Sequence, residues 1–247
     1  MKKYLLSFVL LGSGVTPAAA QGLLDLETGA VVGSAYNRIR VPGNDGTEFD
    51  LTGGDFATRP AWFYRVRAGY TFANRHTVSL LFAPLTVRAE AGRLSEPIRF
   101  NGATFAPGRP LDVQYTFNSY RLTYRFDFVR KERLRFGAGL TGKIRDAAIR
   151  LDNGEAQSTK TNVGFVPLVN FLLDWGFAPA VGLLVEGDAL AAPQGRAEDV
   201  FAGLRFQPAK SIGLKVGYRV LEGGADNEEV YNFTLFHYLS AGAVWRF

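Results

Sequence analysis

The chain has 247 residues, 47% of them hydrophobic and 13% aromatic, and contains no cysteine. Without thiols there is no disulfide framework, no thiolate metal site and no lipid-anchored N-terminal cysteine. A formal net charge of +5, spread along the chain, is too mild for a nucleic-acid-binding stripe.

Lys2 and Lys3 precede an apolar run over 4–15, followed by Thr16, Pro17 and three alanines ending at Ala20. This is the layout of a secretory signal peptide, with cleavage predicted after Ala20. Removal of 1–20 leaves a charge of +3 and one domain, 21–247, with no linker and no low-complexity tract. The apolar run is too short to cross a membrane as a helix, and no later stretch supplies the roughly eighteen apolar residues that a helix needs.

The remaining chain alternates with a period of two, the signature of strands whose faces meet different surroundings. The first predicted strand, 24–36, sets Leu24, Leu26 and Val32 against Asp25, Glu27 and Gly29. The second, 62–72, sets Trp62, Tyr64, Val66 and Tyr70 against Arg65 and Arg67. An arginine turned toward lipid costs about 2–4 kcal/mol near the midplane, so that face points inward. A tight turn over 73–76 leads to the third strand, 77–90, where Pro84 lacks a ladder donor and predicts a bulge or a change of facing.

The fourth strand, 113–128, places Tyr120, Leu122, Tyr124 and Phe126 outward and Arg121, Arg125 and Asp127 inward. Val113, Tyr115 and Phe117 are apolar yet of opposite parity to that outward set, which predicts a bulge near Asn118 and Ser119. The fifth, ending near Leu151, carries Arg135, Gly137, Gly139, Thr141, Lys143 and Arg145 on its polar face. The sixth, 162–175, turns Val163, Phe165, Val169, Phe171 and Trp175 outward, and the seventh, 180–190, turns Leu184, Glu186 and Asp188 inward. Asp199 and Arg205 mark the polar side of the eighth, 199–206, and Lys215 and Arg219 that of the ninth, 212–220. Short turns near Asn74, Lys131, Phe177 and Ala209 alternate with longer predicted connections over 40–59, 92–110, 152–160, 193–197 and 222–229.

The tenth strand, 230–247, ends on Phe247 with Trp245 two residues earlier, on a face that also holds Ala243, Ala241, Leu239 and His237. A terminal aromatic pair on an alternating strand resembles the C-terminal assembly signal of bacterial outer-membrane β-barrels. The resemblance implies an all-β, transmembrane, antiparallel up-and-down barrel of about ten strands, with eight or twelve also open. It further implies both termini in the periplasm, assembly through periplasmic chaperones and the barrel-assembly machinery, and outer-membrane lipid and lipopolysaccharide as surroundings. Outward aromatics gather at the strand ends as an interfacial girdle requires: Phe72, Phe128, Trp175, Phe206 and Trp245 near the short turns, and Trp62, Tyr64, Tyr115, Phe117, Tyr231 and Phe233 near the long ones.

The inward charges form the candidate site for binding or conduction: Arg65, Arg67, Arg121, Arg125, Asp127, Glu186, Asp188, Asp199, Lys215 and Arg219. In a narrow lumen such groups are expected to pair as a packed polar plug, with a selective conduit as the alternative. The 186–199 hairpin is expected to gather two carboxylate pairs near its tip, and 222–229 adds four more acids. Neither has EF-hand spacing, so both are read as solvated acidic segments, without metal or cofactor. The glycines of 51–55 and 221–226 lack a following Lys-Ser/Thr and a helix, and are read as loop glycines.

Two enzymatic readings are tested by the histidines. Omptin-like proteases carry an Asp two residues before their His, and neither His76 nor His237 has one. A lipid A deacylase reading needs His237 beside Ser240, but their parity sends them to opposite faces. The sequence therefore points to a non-enzymatic barrel of structural, narrow-transport or ligand-binding type, without nucleic-acid partners. An outer-membrane enzyme acting on lipid A or peptide, through Glu186, Asp188 or His237, is the alternative.

Overall fold

The computed structural model describes residues 21–192 and 195–247, and the expected signal segment, 1–20, lies outside them. An alternating strand must give its two faces different surroundings, and a sheet closed on itself supplies them. In chain order the strands are β1 (Gln21–Arg40), the short β2 (Phe49–Asp50) and β3 (Phe56–Thr58), β4 (Ala61–Phe72), β5 (His76–Ala83) and β6 (Thr86–Ala91). They continue with the short β7 (Ile98–Phe100) and β8 (Ala103–Phe105), then β9 (Leu111–Lys131), β10 (Leu134–Asp152), β11 (Gln157–Gly176) and β12 (Val181–Ala192). The last three are β13 (Gly195–Phe206), β14 (Ile212–Asp226) and β15 (Tyr231–Arg246).

Ten antiparallel staves close the barrel in the order β1, β4, β5 with β6, then β9 to β15. β15 returns to β1 with Leu23 opposite Arg246 and Arg40 opposite Tyr231. The outer surface is apolar, with Trp62, Leu122, Leu140, Val163, Phe165 and Leu239 each more than half exposed. Water would not tolerate that surface, whereas hydrocarbon matches it, and the protein is a transmembrane β-barrel.

Pro84 interrupts the third stave but does not change its register: Ala83 faces Ser119 and Thr86 faces Thr116 of β9. The bulge predicted near Asn118 and Ser119 is absent, since β9 pairs with β10 without a shift from Asp112 to Asp127. The shift falls instead between Phe136 and Gly137. Val113 and Tyr115 consequently keep the inward parity of Arg121 and are buried, and Phe117 shares it, so Tyr115 and Phe117 leave the predicted outer girdle. The interior at the long-loop end is apolar, and apolar side chains pointing inward there need no bulge.

Two predicted long connections are strand extensions. β10 pairs with β11 out to Asp152 opposite Gln157, and β14 pairs with β15 out to Asp226 opposite Tyr231. Ladder hydrogen bonds satisfy the backbone above the apolar band as well as within it, so polar side chains there do not end a strand. The connections after β1 and β6 do fold as a cap. Thr47 N donates to Arg99 O at 2.9 Å and Asn101 N to Val41 O at 2.9 Å, drawing the β7–β8 hairpin over the barrel mouth. Leu51, Phe100, Phe105, Leu111 and Val113, all at most 1% exposed, fill the space beneath it.

Candidate functional site

Alternation turns charges into the lumen, and those of six staves, β1, β4, β9, β12, β13 and β14, fill the middle of the barrel. Arg219 of β14 donates to both carboxylate oxygens of Glu27, at 2.6 and 2.8 Å, and to Asp199 Oδ1 at 2.5 Å. Arg121 bridges Asp188 at 2.7 Å and Asp199 at 2.5 Å, and Arg65 adds a third cation to Asp199 at 2.9 Å. Lys215 Nζ lies 2.9 Å from Asp25, 3.0 Å from Glu27 and 2.9 Å from Glu186, whose other oxygen accepts from Arg67 at 2.9 Å. Five cations thus meet five carboxylates, and the layer carries no net charge.

Neutral donors complete the layer: Thr141 and Asn170 reach Asp188 Oδ1 at 2.6 and 2.8 Å, and Ser240 reaches Glu27 at 2.8 Å. Phe201, fully buried, sits under the charges of Lys215 and Arg219, whose cationic centres lie 5.3 and 5.5 Å from its ring centre. The ring has room because glycines stand at 203 and 217. A Cβ there would lie 2.7 and 2.9 Å from Phe201 Cζ.

Eight of the ten candidate residues meet in this layer. Arg125 and Asp127 lie closer to the short turns, where Arg135 and Arg125 contact Asp127 at 2.5 and 3.3 Å. The void between that pair and the plug measures only about 70 Å³. Glu186, Asp188 and Asp199 do not gather at the hairpin tip as expected. Ladder pairing continues from Asp188 opposite Asp199 up to Ala192 opposite Gly195, which leaves all three carboxylates mid-strand. Glu222 likewise belongs to a strand, paired with Arg196 and accepting from the Tyr36 hydroxyl.

Above the plug, toward the long loops, a chamber of about 460 Å³ lies between β10, β11 and the β12–β14 side of the wall. Tyr115, Phe117, Ile149, Val166 and Leu190 give it apolar walls, Lys143, Arg145, Lys160 and Arg196 bring positive charge, and Glu222, paired with Arg196, brings a carboxylate. The sequence expectations do not include this chamber; the signals that could have found it are Pro167 and the inward parity of Tyr115 and Phe117, two residues expected in the girdle behind a bulge. A proline mid-strand marks an edge, and inward aromatics mark an apolar interior.

Both histidines lie on the outer face. His76 Nδ1 is 2.8 Å from the Tyr124 hydroxyl, and His237 contacts the Tyr218 hydroxyl. Ser240 points into the plug, so His237 and Ser240 are not a catalytic pair. At the short-turn end Trp245 and Phe247 are more than half exposed, their ring centres 4.9 Å apart. Phe247 and Gly22 exchange backbone hydrogen bonds of 2.7 and 3.0 Å, which ties down the terminal residue.

No protein-family model matches the sequence, and no curated protein matches it. Among solved structures, the outer membrane protease OmpT from Escherichia coli is similar with a TM-score of 0.57 and 9% identity, over 94% of this chain and 98% of that one. An outer membrane channel from Pseudomonas putida F1 gives a TM-score of 0.43 at 10% identity, over 97% and 100% of the two chains. The attachment invasion locus protein Ail of Yersinia pestis gives 0.42 at 12%, over 92% and 99%. The ten closed antiparallel staves, the apolar exterior and the polar lumen give this chain the fold that bacterial outer-membrane β-barrels such as OmpT have.

Proposed function

We propose that the protein resides in the outer membrane, with both termini and the short turns in the periplasm, and that it binds a ligand at its outer end rather than conducting along its axis. The observation that carries this reading is the charge-balanced plug. Arg121, Lys215 and Arg219 are each at most 4% exposed, and so are Glu27, Asp188 and Asp199. A conduit needs continuous water, and paired charges at these distances leave none. The chamber opens on the opposite side of the plug from the termini, where an external ligand arrives first. Pockets of roughly 300–1,000 Å³ with mostly apolar walls and a few polar groups are the usual form of small-molecule sites.

The non-enzymatic side of the reading is supported by the outward histidines and by the engagement of Ser240 with Glu27. The test is planar-bilayer recording on the purified, folded barrel. The wild type is expected to be silent, and Arg219→Ala or Glu186→Ala to show intermittent conductance. Stable conductance steps in the wild type would overturn the binding reading in favour of a conduit.

A further inference from the structure

We infer that the chamber takes a single-chain anionic amphiphile, an aliphatic chain bearing a carboxylate or phosphate head, which enters sideways from the membrane between β11 and β12. This deepens the reading of the barrel as plugged and ligand-binding, and rests on it.

The charge of the head follows from two cations. Lys143 is 2% exposed and lines the chamber, yet among the described residues no carboxylate lies within ion-pair distance of it and no hydrogen bond reaches its ammonium. Its Nζ rests over the Phe117 ring, 4.6 Å from the centre, and Arg121 stands opposite it in the β9–β10 register, a like charge. The nearby carboxylates of Asp188 and Asp199 are already engaged by Arg121. One turn of the alternation higher, Arg145 hydrogen-bonds, among the described residues, only to the side-chain oxygen of Asn162, and its buried Nε has no partner among them. Buried charge without a counter-charge is strongly disfavoured, and every cation of the plug has one. An anion in the chamber supplies what Lys143 and Arg145 lack.

The chain and its route follow from the wall. β11 pairs with β12 only from Val169 opposite Ala189 to Gly176 opposite Gly182. Over 157–168 it keeps its β10 partners but pairs with no strand on its other edge among the described residues. Pro167 stands at the break, with no N–H to extend a ladder. On this segment Val163 and Phe165 point outward and are 69% and 67% exposed, whereas Thr159 and Thr161 above them are polar, so the gap straddles the edge of the apolar band. An unpaired strand edge at membrane depth is tolerated only where it is buried in protein or lines a water-filled cavity, and this one borders the chamber. Phe165 and Pro167 on one side and Leu190 on the other belong to the chamber wall, which makes the gap and the chamber one continuous space. A soluble anion would need no apolar wall and no opening toward lipid.

The test uses the full mature barrel in nanodiscs of uncharged phosphatidylcholine, titrated with palmitate carrying a ¹³C carboxyl, with lysophosphatidic acid, with methyl palmitate, and with acetate and inorganic phosphate. Saturable one-to-one binding of palmitate or lysophosphatidic acid is expected, seen as a shift of the head-group resonance and weakened at least tenfold by Lys143→Gln with Arg145→Gln. A heat-modifiability shift like that of the wild type checks that the double variant is folded. Absence of saturable binding, undiminished binding by the folded double variant, or equal binding of methyl palmitate would overturn the anionic-head assignment. Equal affinity for acetate or phosphate would overturn the amphiphile and its lateral route. A silent bilayer alongside any of these failures would leave the plugged-barrel reading standing, and the two conclusions fail separately.

Discussion

Two layers of the same lumen hold buried cations under opposite conditions. In the plug, Arg219 has three hydrogen bonds of 2.5 to 2.8 Å to Glu27 and Asp199. One step above, Lys143 is as deeply buried and has an aromatic face but no carboxylate among the described residues. Burial is the same in both layers, so it does not distinguish structure from function. Pairing does: a cation whose counter-charge is built in belongs to the frame, and one whose counter-charge is missing is arranged for something that arrives.

That comparison breaks if the two layers respond alike to loss of charge. Arg219→Met is expected to produce the largest effect. It leaves the plug one cation short, with Glu27 still held by Lys215 and Asp199 by Arg65 and Arg121, and lowers stability by up to about 3–5 kcal/mol, the usual cost of removing one partner of a buried pair. Denaturant unfolding in detergent, followed by the mobility difference between folded and unfolded barrel on a gel, measures it. Lys143→Met removes an uncompensated charge and leaves no orphan, so the same assay is expected to show no loss, or a gain of up to about 1 kcal/mol in the absence of ligand. A loss comparable to that of Arg219→Met would show Lys143 to be a frame residue and remove the distinction.

The smallest effect concerns the cap above both layers. Asp50 accepts from Asn37 N at 3.0 Å, Thr52 N at 2.9 Å and Thr52 Oγ1 at 2.7 Å. Partial burial opposes its ionisation, but these donors outweigh it and hold the carboxyl below the usual aspartate range. A depressed carboxyl stabilises the fold fully above its unfolded pKa, near 3.9, and that contribution fades as pH falls through the lower folded value. Protection of the Asn37 and Thr52 amides, with the intrinsic pH dependence of exchange divided out, should therefore be unchanged between pH 7 and 5 and fall, relative to plug residues, below about pH 4. Equal loss of protection in plug and cap would mean that the cap does not open on its own.

The sequence alone determined the class of fold, since strict alternation around Arg65, Arg67, Arg121, Glu186 and Arg219 allows only one arrangement in which those charges avoid lipid. It also determined which charged side chains enter the lumen, because parity along a strand is a local property that survives without knowledge of neighbours. What it left open were the partners across the lumen and the extent of each ladder. Lys143 and Lys215 read identically as inward lysines on alternating strands, and nothing local says that Asp25, Glu27 and Glu186 converge on one and not on the other. Tyr115 and Phe117 read as girdle residues because they are aromatics at a strand end near a long connection, but the cap supplies an apolar interior that receives them. The gap beside Pro167 depends on where β12 stops relative to β11. Register, ladder length and counter-charge are relations between distant segments, and only the closed barrel fixes them.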